Sequence, residues 1–396
     1  VLNIIESHLN SLDLDIRKSN GERFMDQKVT PDVLCIIADC VVNLLQGFQD
    51  EEREFTVKDI WDSDYFNETV KDVFSKPDVH EKTAKNEYNK VIQQPLNMLA
   101  YAKILSKRKA RANYYKLESK DILEFISLRE RNSYDFLYLY LLKVLKDSSL
   151  LEDFEHFKEN NTRHEFASLK NKFLDFILLY TKINQKTEAS RIFTKVLNPY
   201  AAKNEIHGTV LGNLSTKVIT FSDLRYNRIN FRDKNKEKNV TRKSYSDEKR
   251  HSAVLTKYHI EKAKKIIKRM HNSSEVNDEF ALGEATQVHH IFSQSEYPTI
   301  AAKLENLILL TPQQHFTRAH PNNNTHITSK DYQLICLIAK SNTIETYLAK
   351  NKEKSYIYTK EGYIYVVNTG LNQSFDNEIS FKSLKNRIIN IYNGVS

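Results

Sequence analysis

Glycine and proline are scarce in this chain, at eight and seven of 396 residues. With so few breaks, and with aliphatic and aromatic residues plentiful, large-scale disorder is excluded and a folded, helix-rich protein is expected. Three cysteines, Cys35, Cys40 and Cys336, are too few for a disulfide framework. Cys35 and Cys40 fall in an apolar helical pattern and are expected to pack as small hydrophobes, which fits a reducing, cytoplasmic setting. The longest apolar run, 33–45, contains Asp39 and is too short to span a bilayer. The first residues carry Glu6, Asp13 and Asp15 and no basic leader, so no signal peptide is expected.

Positive charge is present in excess but unevenly placed. The formal charge is 59 − 51 = +8, while 225–271 alone holds sixteen Lys/Arg against five Asp/Glu, a net of +11, leaving about −3 for the rest. A concentrated positive stretch points to a polyanion, because phosphates neutralised by Lys and Arg release condensed counterions; a solvated helix face is the plainer reading of the same residues. Within it, 223–232 interleaves Arg225, Arg228 and Arg232 with Tyr226 and Phe231. That mixture suits phosphate and base contact, or else a surface helix burying two rings. Residues 234–250 read as a polar linker and 259–270 as a helix with a basic face.

Earlier in the chain, Thr30-Pro31-Asp32 opens a helix whose apolar residues are too dense for one stripe, so it is expected to be buried on most sides. From Pro95 to Ser127 the pattern runs helix, basic loop (Lys107, Arg108, Lys109, Arg111), strand 113–117, helix 121–127. It is compatible with a winged helix-turn-helix over 87–135 whose loop holds phosphates, and equally with a helical bundle carrying a charged turn. Residues 135–144 and 173–182 read as core helices, 199–222 as a hairpin or irregular link, and 355–367 as a hairpin around Gly362. Asp26-Gln-Lys28 with Pro31-Asp32 superficially resembles the PD-(D/E)xK nucleases, but in reversed order and at a helix start.

The residues that carry chemistry lie late. His289 and His290 are followed by Asn306 and His315. Residues 286–291 read as a strand, 292–304 as a loop and 307–310 as a second strand. Thr311-Pro312 then starts a helix, with Gln314 where a capping-box partner belongs. Hydrolysing an anionic phosphodiester near neutral pH needs a neutral imidazole to take water's proton and a cation to offset charge at phosphorus.

Val288-His289-His290-Ile291, Glu305-Asn306-Leu307 and the helix-borne His315 resemble, in order and spacing, the HNH or ββα-metal nuclease family. The resemblance covers about Glu284 to His320, under a tenth of the chain. It implies that His289 and His315 hold a divalent metal, that His290 activates water, and that Asn306 steadies the loop between the strands. Mg²⁺ is the ion expected, with Mn²⁺ and Zn²⁺ as others the site could bind. Because adjacent strand residues point to opposite faces, the strand must end or twist at His290. Many relatives add a Cys₄ zinc knuckle; here Thr311 and Gln314 stand where cysteines often occur, so no structural zinc is expected. Arg318 is a candidate phosphate clamp, and His320 either a further ligand, a phosphate contact or a C-terminal cap.

The expectation is an α+β, mainly helical chain: a helical, winged-helix-like DNA-recognition region over 1–205, a basic linker and helix over 206–280, a nuclease domain over 281–345, and a C-terminal hairpin and helix over 346–396. A large helical half before a late HNH unit looks like bacterial HNH-type restriction endonucleases, which implies cleavage of double-stranded DNA, with a homodimer as one route to cutting both strands. Two other readings stay open: an HNH nuclease of another calling (modification-dependent, phage-defence or homing), and a non-catalytic DNA-binding regulator with a structural metal.

Overall fold

A computed structural model describes residues 2–46, 53–74, 85–226, 257–320, 329–350 and 357–394. The chain is mainly helical with small antiparallel sheets, and it forms two compact units, Val1–Asn235 and Lys236–Ser396. Arg228 and Arg232 lie outside the described residues.

The first unit is built on α2 (Pro31–Gln46), buried from Pro31 to Val42 and packed by α5 (Lys85–Tyr101), α6 (Lys120–Leu128) and α7 (Glu130–Asp147). Its apolar residues recur on every side, so no face is left for water. Before it comes α1 (Leu2–Asn10); after it come β1 (Phe55–Thr56), α3 (Val57–Trp61) and α4 (Asp64–Phe74). Helix α5 leads into a hairpin of β2 (Leu105–Lys109) and β3 (Asn113–Leu117), and β1 pairs with β3, giving the sheet order β1-β3-β2. The expected basic loop is therefore largely strand: Lys107, Arg108 and Lys109 belong to β2 and only Arg111 sits in the turn. Pairing with alternating Asn-Tyr-Tyr-Lys-Leu on β3 overrides the weak strand preference of a Lys/Arg run.

Helices α8 (Leu151–Glu159), α9 (Arg163–Tyr180) and α10 (Lys186–Asn204) complete the unit with a hairpin of β4 (His207–Val210) and β5 (Asn213–Val218). The hairpin packs on α10 rather than forming part of a linker, and its turn places Leu211 and Gly212 at positive φ, the geometry a two-residue hairpin turn requires. Pro95 and Pro199, read from sequence as the edges of new segments, both lie inside helices, α5 and α10. Asp26 and Asp32 do structural work: Asp26 accepts from Arg23 and from the Gln27 N–H, while Asp32 accepts from the Tyr226 N–H at 2.9 and 3.0 Å.

On α10, Lys195 is half-buried, and burial pushes its ammonium down to about 8 despite Asp32 nearby. Its folded value lies below its ordinary 10.5, so the unfolded chain holds that proton more tightly between those values and stability rises with pH across that window. Lys195→Met should therefore stabilise the first unit at neutral pH, by on the order of 2 kcal/mol, and lose the alkaline gain. Urea titrations of both proteins at neutral pH and at pH above 10 would check it; parallel pH curves would refute the assignment.

The second unit holds α11 (Lys257–Met270), β6 (Gln287–His290), β7 (Leu307–Leu310), a helical stretch over 312–319, α12 (Lys330–Lys350), α13 (Lys360–Leu371) and α14 (Phe381–Tyr392). Of the hairpin expected over 355–367, residues 360–367 instead belong to helix α13, and 357–359 lead into it without forming a strand. Thr359 caps it by accepting from the Gly362 N–H, and Tyr363, Ile364, Val366 and Val367 share its buried side at helical spacing. Packing decides here against the strand preference of β-branched and aromatic residues. A buried cluster ties α12 to β7: Lys340 donates to Glu275 at 3.0 and 3.2 Å and to the Tyr358 hydroxyl at 2.9 Å. Glu275 in turn exchanges hydrogen bonds with the backbone of Leu309.

Candidate metal centre

Strands β6 and β7 pair antiparallel, with His289 opposite Ile308 and His290 opposite Leu307. All four residues of β7 are buried, which fixes the register and therefore which histidine faces inward. β6 ends at His290, where the sequence required a strand end.

Asn306 closes the intervening loop. It is fully buried; its Oδ1 accepts from the Phe292 N–H at 2.9 Å, and its Nδ2 donates to the carbonyls of Phe292 at 3.0 Å and Ile300 at 3.3 Å. Only an amide offers acceptor and donor together for this task. Gly370 lets α13 pass against the same corner, since a Cβ there would meet the Phe292 ring at 2.3 Å. Glu305, also buried, accepts from the Thr359 N–H at the start of α13.

The helical stretch after β7 begins with the reciprocal bonds of a capping box: the Thr311 N–H donates to Gln314 Oε1 at 3.0 Å and the Gln314 N–H to Thr311 Oγ1 at 3.2 Å. The two side chains also reach outward. Thr311 Oγ1 donates to the Phe280 carbonyl, and Gln314 Nε2 donates to the Val276 carbonyl and Asp278 Oδ1. Ser274 donates to Gln314 Oε1 at 2.6 Å. Hydrogen bonds thus fasten the segment 274–280 to the helix start.

From Gln314 to Ala319 the stretch is π-helical, and the His320 N–H donates to the His315 carbonyl five residues back. In a regular α-helix residues five apart point about 140° away from each other. The wider turn brings the two imidazoles together, with ring centroids 4.8 Å apart. His289 meets both, at 5.4 Å from His315 and 4.9 Å from His320, and ligand nitrogens of all three lie within 4.8 Å of one another. His320 also occupies the C-cap position considered for it, so cap and cluster member are one residue.

The donor set fits a metal ion. His289 Nε2 and His315 Nδ1 are buried with no hydrogen-bond partner, a costly state unless something else accepts their lone pairs. Burial, then His320 and His315, hold His289 well below the usual imidazole range; burial pushes His315 down to about 4, with His320 adding to it. Both rings are therefore neutral near pH 7, the form that ligates.

His290 behaves differently. Its Nε2 lies 3.1 Å from the Ala301 carbonyl. A carbonyl only accepts, so Nε2 carries the proton and Nδ1 of the neutral ring is left with its lone pair. Burial, with Lys264 adding to it, pushes this ring down to about 4.

The other sequence candidates are placed less tellingly. Arg318 is exposed on the π-helical stretch, its guanidinium over the rings of Phe280 and Tyr332 at 5.1 and 5.8 Å. Arg225 belongs to the other unit and is committed to Glu130 at 2.8 Å. Tyr226 accepts from Lys28 Nζ, so this ring is tied into the first unit instead of being offered to a base. Lys107 and Arg108 pair with Glu22 and Glu54.

No family model matches the chain, and no curated protein or solved structure does either. No helix among the described residues is long and apolar enough to cross a membrane.

Proposed function

We propose that the second unit is a divalent-metal-dependent nuclease centre and that the chain hydrolyses phosphodiester bonds in double-stranded DNA. The observation that carries this reading is the convergence of His289, His315 and His320, two of them with orphaned nitrogens, beside a fourth imidazole fixed in one tautomer. Together with the resemblance of 284–320 to the HNH motif, it supports reading the hairpin and the helical stretch as a ββα-metal unit. Sequence-specific cleavage by a restriction enzyme is the form the wider layout favours.

His289, His315 and His320 would hold the ion through imidazole nitrogens. A bound divalent ion supplies positive charge to the phosphorane-like transition state and the departing oxygen. His290 takes water's proton at Nδ1, its ring held by the Ala301 carbonyl. A phosphate anion beside it would raise the imidazole's basicity towards working pH. Asn306 holds the start of the loop after β6, fixing where the strand that carries both histidines ends.

Among the described residues the donor set is three imidazoles without a carboxylate, better suited to zinc-like transition ions than to Mg²⁺, which prefers oxygen. The sequence reading, with two imidazoles, favoured Mg²⁺; the third shifts the proposal. Among the described residues three side chains would serve as ligands, a number that favours catalysis over a purely structural metal, where four closed ligands are the rule.

Plasmid cleavage tests this. Chelator should stop nicking, and one of Zn²⁺, Mn²⁺ or Mg²⁺ should restore it. H289A, H315A and H320A should each lose metal on dialysis and cut at least a hundredfold more slowly. Full-rate cutting in chelator, or metal content unchanged in all three variants, would refute the assignment.

A further inference from the structure

We infer that the first unit carries a winged helix-turn-helix in which the exposed side of α5 reads bases of duplex DNA while the tip of the β2–β3 hairpin grips its backbone. This deepens the proposed nuclease function by naming the surface that finds the substrate. It rests on that reading for the identity of the nucleic acid, and does not require the second unit to cut.

Topology supplies the first argument. A lone strand, β1, follows α2; α3, α4 and α5 come next; then the hairpin returns so that β3 pairs with β1 at Phe55–Tyr115 and Thr56–Tyr114. Helix α5 runs into β2 through only 102–104, so helix and hairpin present one continuous device. It spans 31–117 and differs from the 87–135 read from sequence, because the pairing partner β1 lies before the helices. The hairpin is locked to the helix by Tyr115, whose hydroxyl donates to Asn97 Oδ1 at 2.9 Å, and the helix to the unit by Gln94, which accepts from the Lys28 N–H at 2.7 Å.

Charge and chemistry supply the second. Between Lys85 and Leu117 the sequence holds eight Lys/Arg (85, 90, 103, 107, 108, 109, 111 and 116) and one acid, Glu87, a net of 8 − 1 = +7, of which Lys107 and Arg108 pair with Glu22 and Glu54 from outside the segment. Lys109 and Arg111 are exposed at the hairpin end and have no ion pair among the described residues. Along α5, Tyr88, Val91, Ile92, Leu96 and Leu99 are buried, whereas Asn89 and Lys90 are exposed and Gln93 is half-buried. Asn89 and Gln93 stand one helical turn apart, and side-chain amides of Asn and Gln are the groups that pair two-fold with adenine in the major groove. A helix in the groove with basic groups on flanking phosphates is the division of labour that such motifs use.

The test uses the full chain in chelator, so that no strand is cut, and a pool of randomised short duplexes from which bound species are enriched. One sequence motif should emerge. The double variant K109A/R111A should bind every duplex about tenfold or more weakly and reduce the slope of log affinity against log salt by about two. N89A and Q93A should keep that slope but discriminate the enriched bases about tenfold to a hundredfold less well. Absence of an enriched motif, an unchanged salt slope in K109A/R111A, or preference for single-stranded RNA over duplex would each overturn the inference. Cleavage with metal restored is scored separately: binding as expected without cutting would sink the nuclease reading alone. Cutting in which these variants match the parent in binding would sink this one alone.

Discussion

His290→Ala is expected to cut DNA about a thousandfold more slowly than the parent while its metal content stays unchanged. The separation follows from the placement of the two neighbouring histidines. His289 belongs to the cluster with His315 and His320 and leaves its Nε2 without a hydrogen-bond partner, whereas His290 spends Nε2 on the Ala301 carbonyl and retains Nδ1 for a proton. Removing His289 should therefore empty the ion site, and removing His290 should leave it filled and idle. Added imidazole should restore part of the lost rate in His290→Ala, because the missing group is a proton acceptor and the cavity left behind has its shape. Equal rates in parent and variant, with metal bound in both, would remove the base from the mechanism.

Asn306→Ala should destabilise the second unit by roughly 3 kcal/mol, since it strands two buried backbone groups, the N–H and carbonyl of Phe292, while the Ile300 carbonyl keeps the Lys303 N–H. Asn306→Asp should do no better, because a carboxylate cannot donate to those carbonyls and would be buried with its charge. The measurement is aided by composition. The one tryptophan, Trp61, belongs to the first unit, so its fluorescence reports that unit while far-ultraviolet circular dichroism follows both. A shift in the dichroism midpoint with an unmoved fluorescence midpoint is the expected signature. Coincident, parent-like transitions would show that the amide is dispensable.

Much of this site was readable from residues in order. The apolar run 307–310 announced a strand, and Thr311 with Gln314 announced the capping box, from local chemistry that the structure repeats; the bracing role of Asn306 was implied by the resemblance alone. His320 was not readable as a neighbour of His315, because a spacing of five defeats the α-helical period and nothing local in sequence signals a π-turn. The fold was less legible where tertiary packing outweighed local preference. Tyr363-Ile-Tyr-Val-Val joined a helix, a Lys/Arg run became strand β2, and Pro95 and Pro199 sat within helices that continue past them. The three-stranded sheet was hidden for a different reason: β1 is two residues long and pairs with β3 some sixty positions later.

The fastening of Thr311 and Gln314 to 274–280 through hydroxyl and amide groups bears on how the protein could be handled. No cysteine takes part in these bonds; Cys336, near Glu275 and Asp278, is fully buried. None of these bonds uses a histidine of the cluster, so removing an ion from it should leave the clamp intact. Loading and unloading of metal should then be a reversible exchange on a preformed scaffold, without the collapse that follows when a cysteine-bound zinc is withdrawn from a small domain.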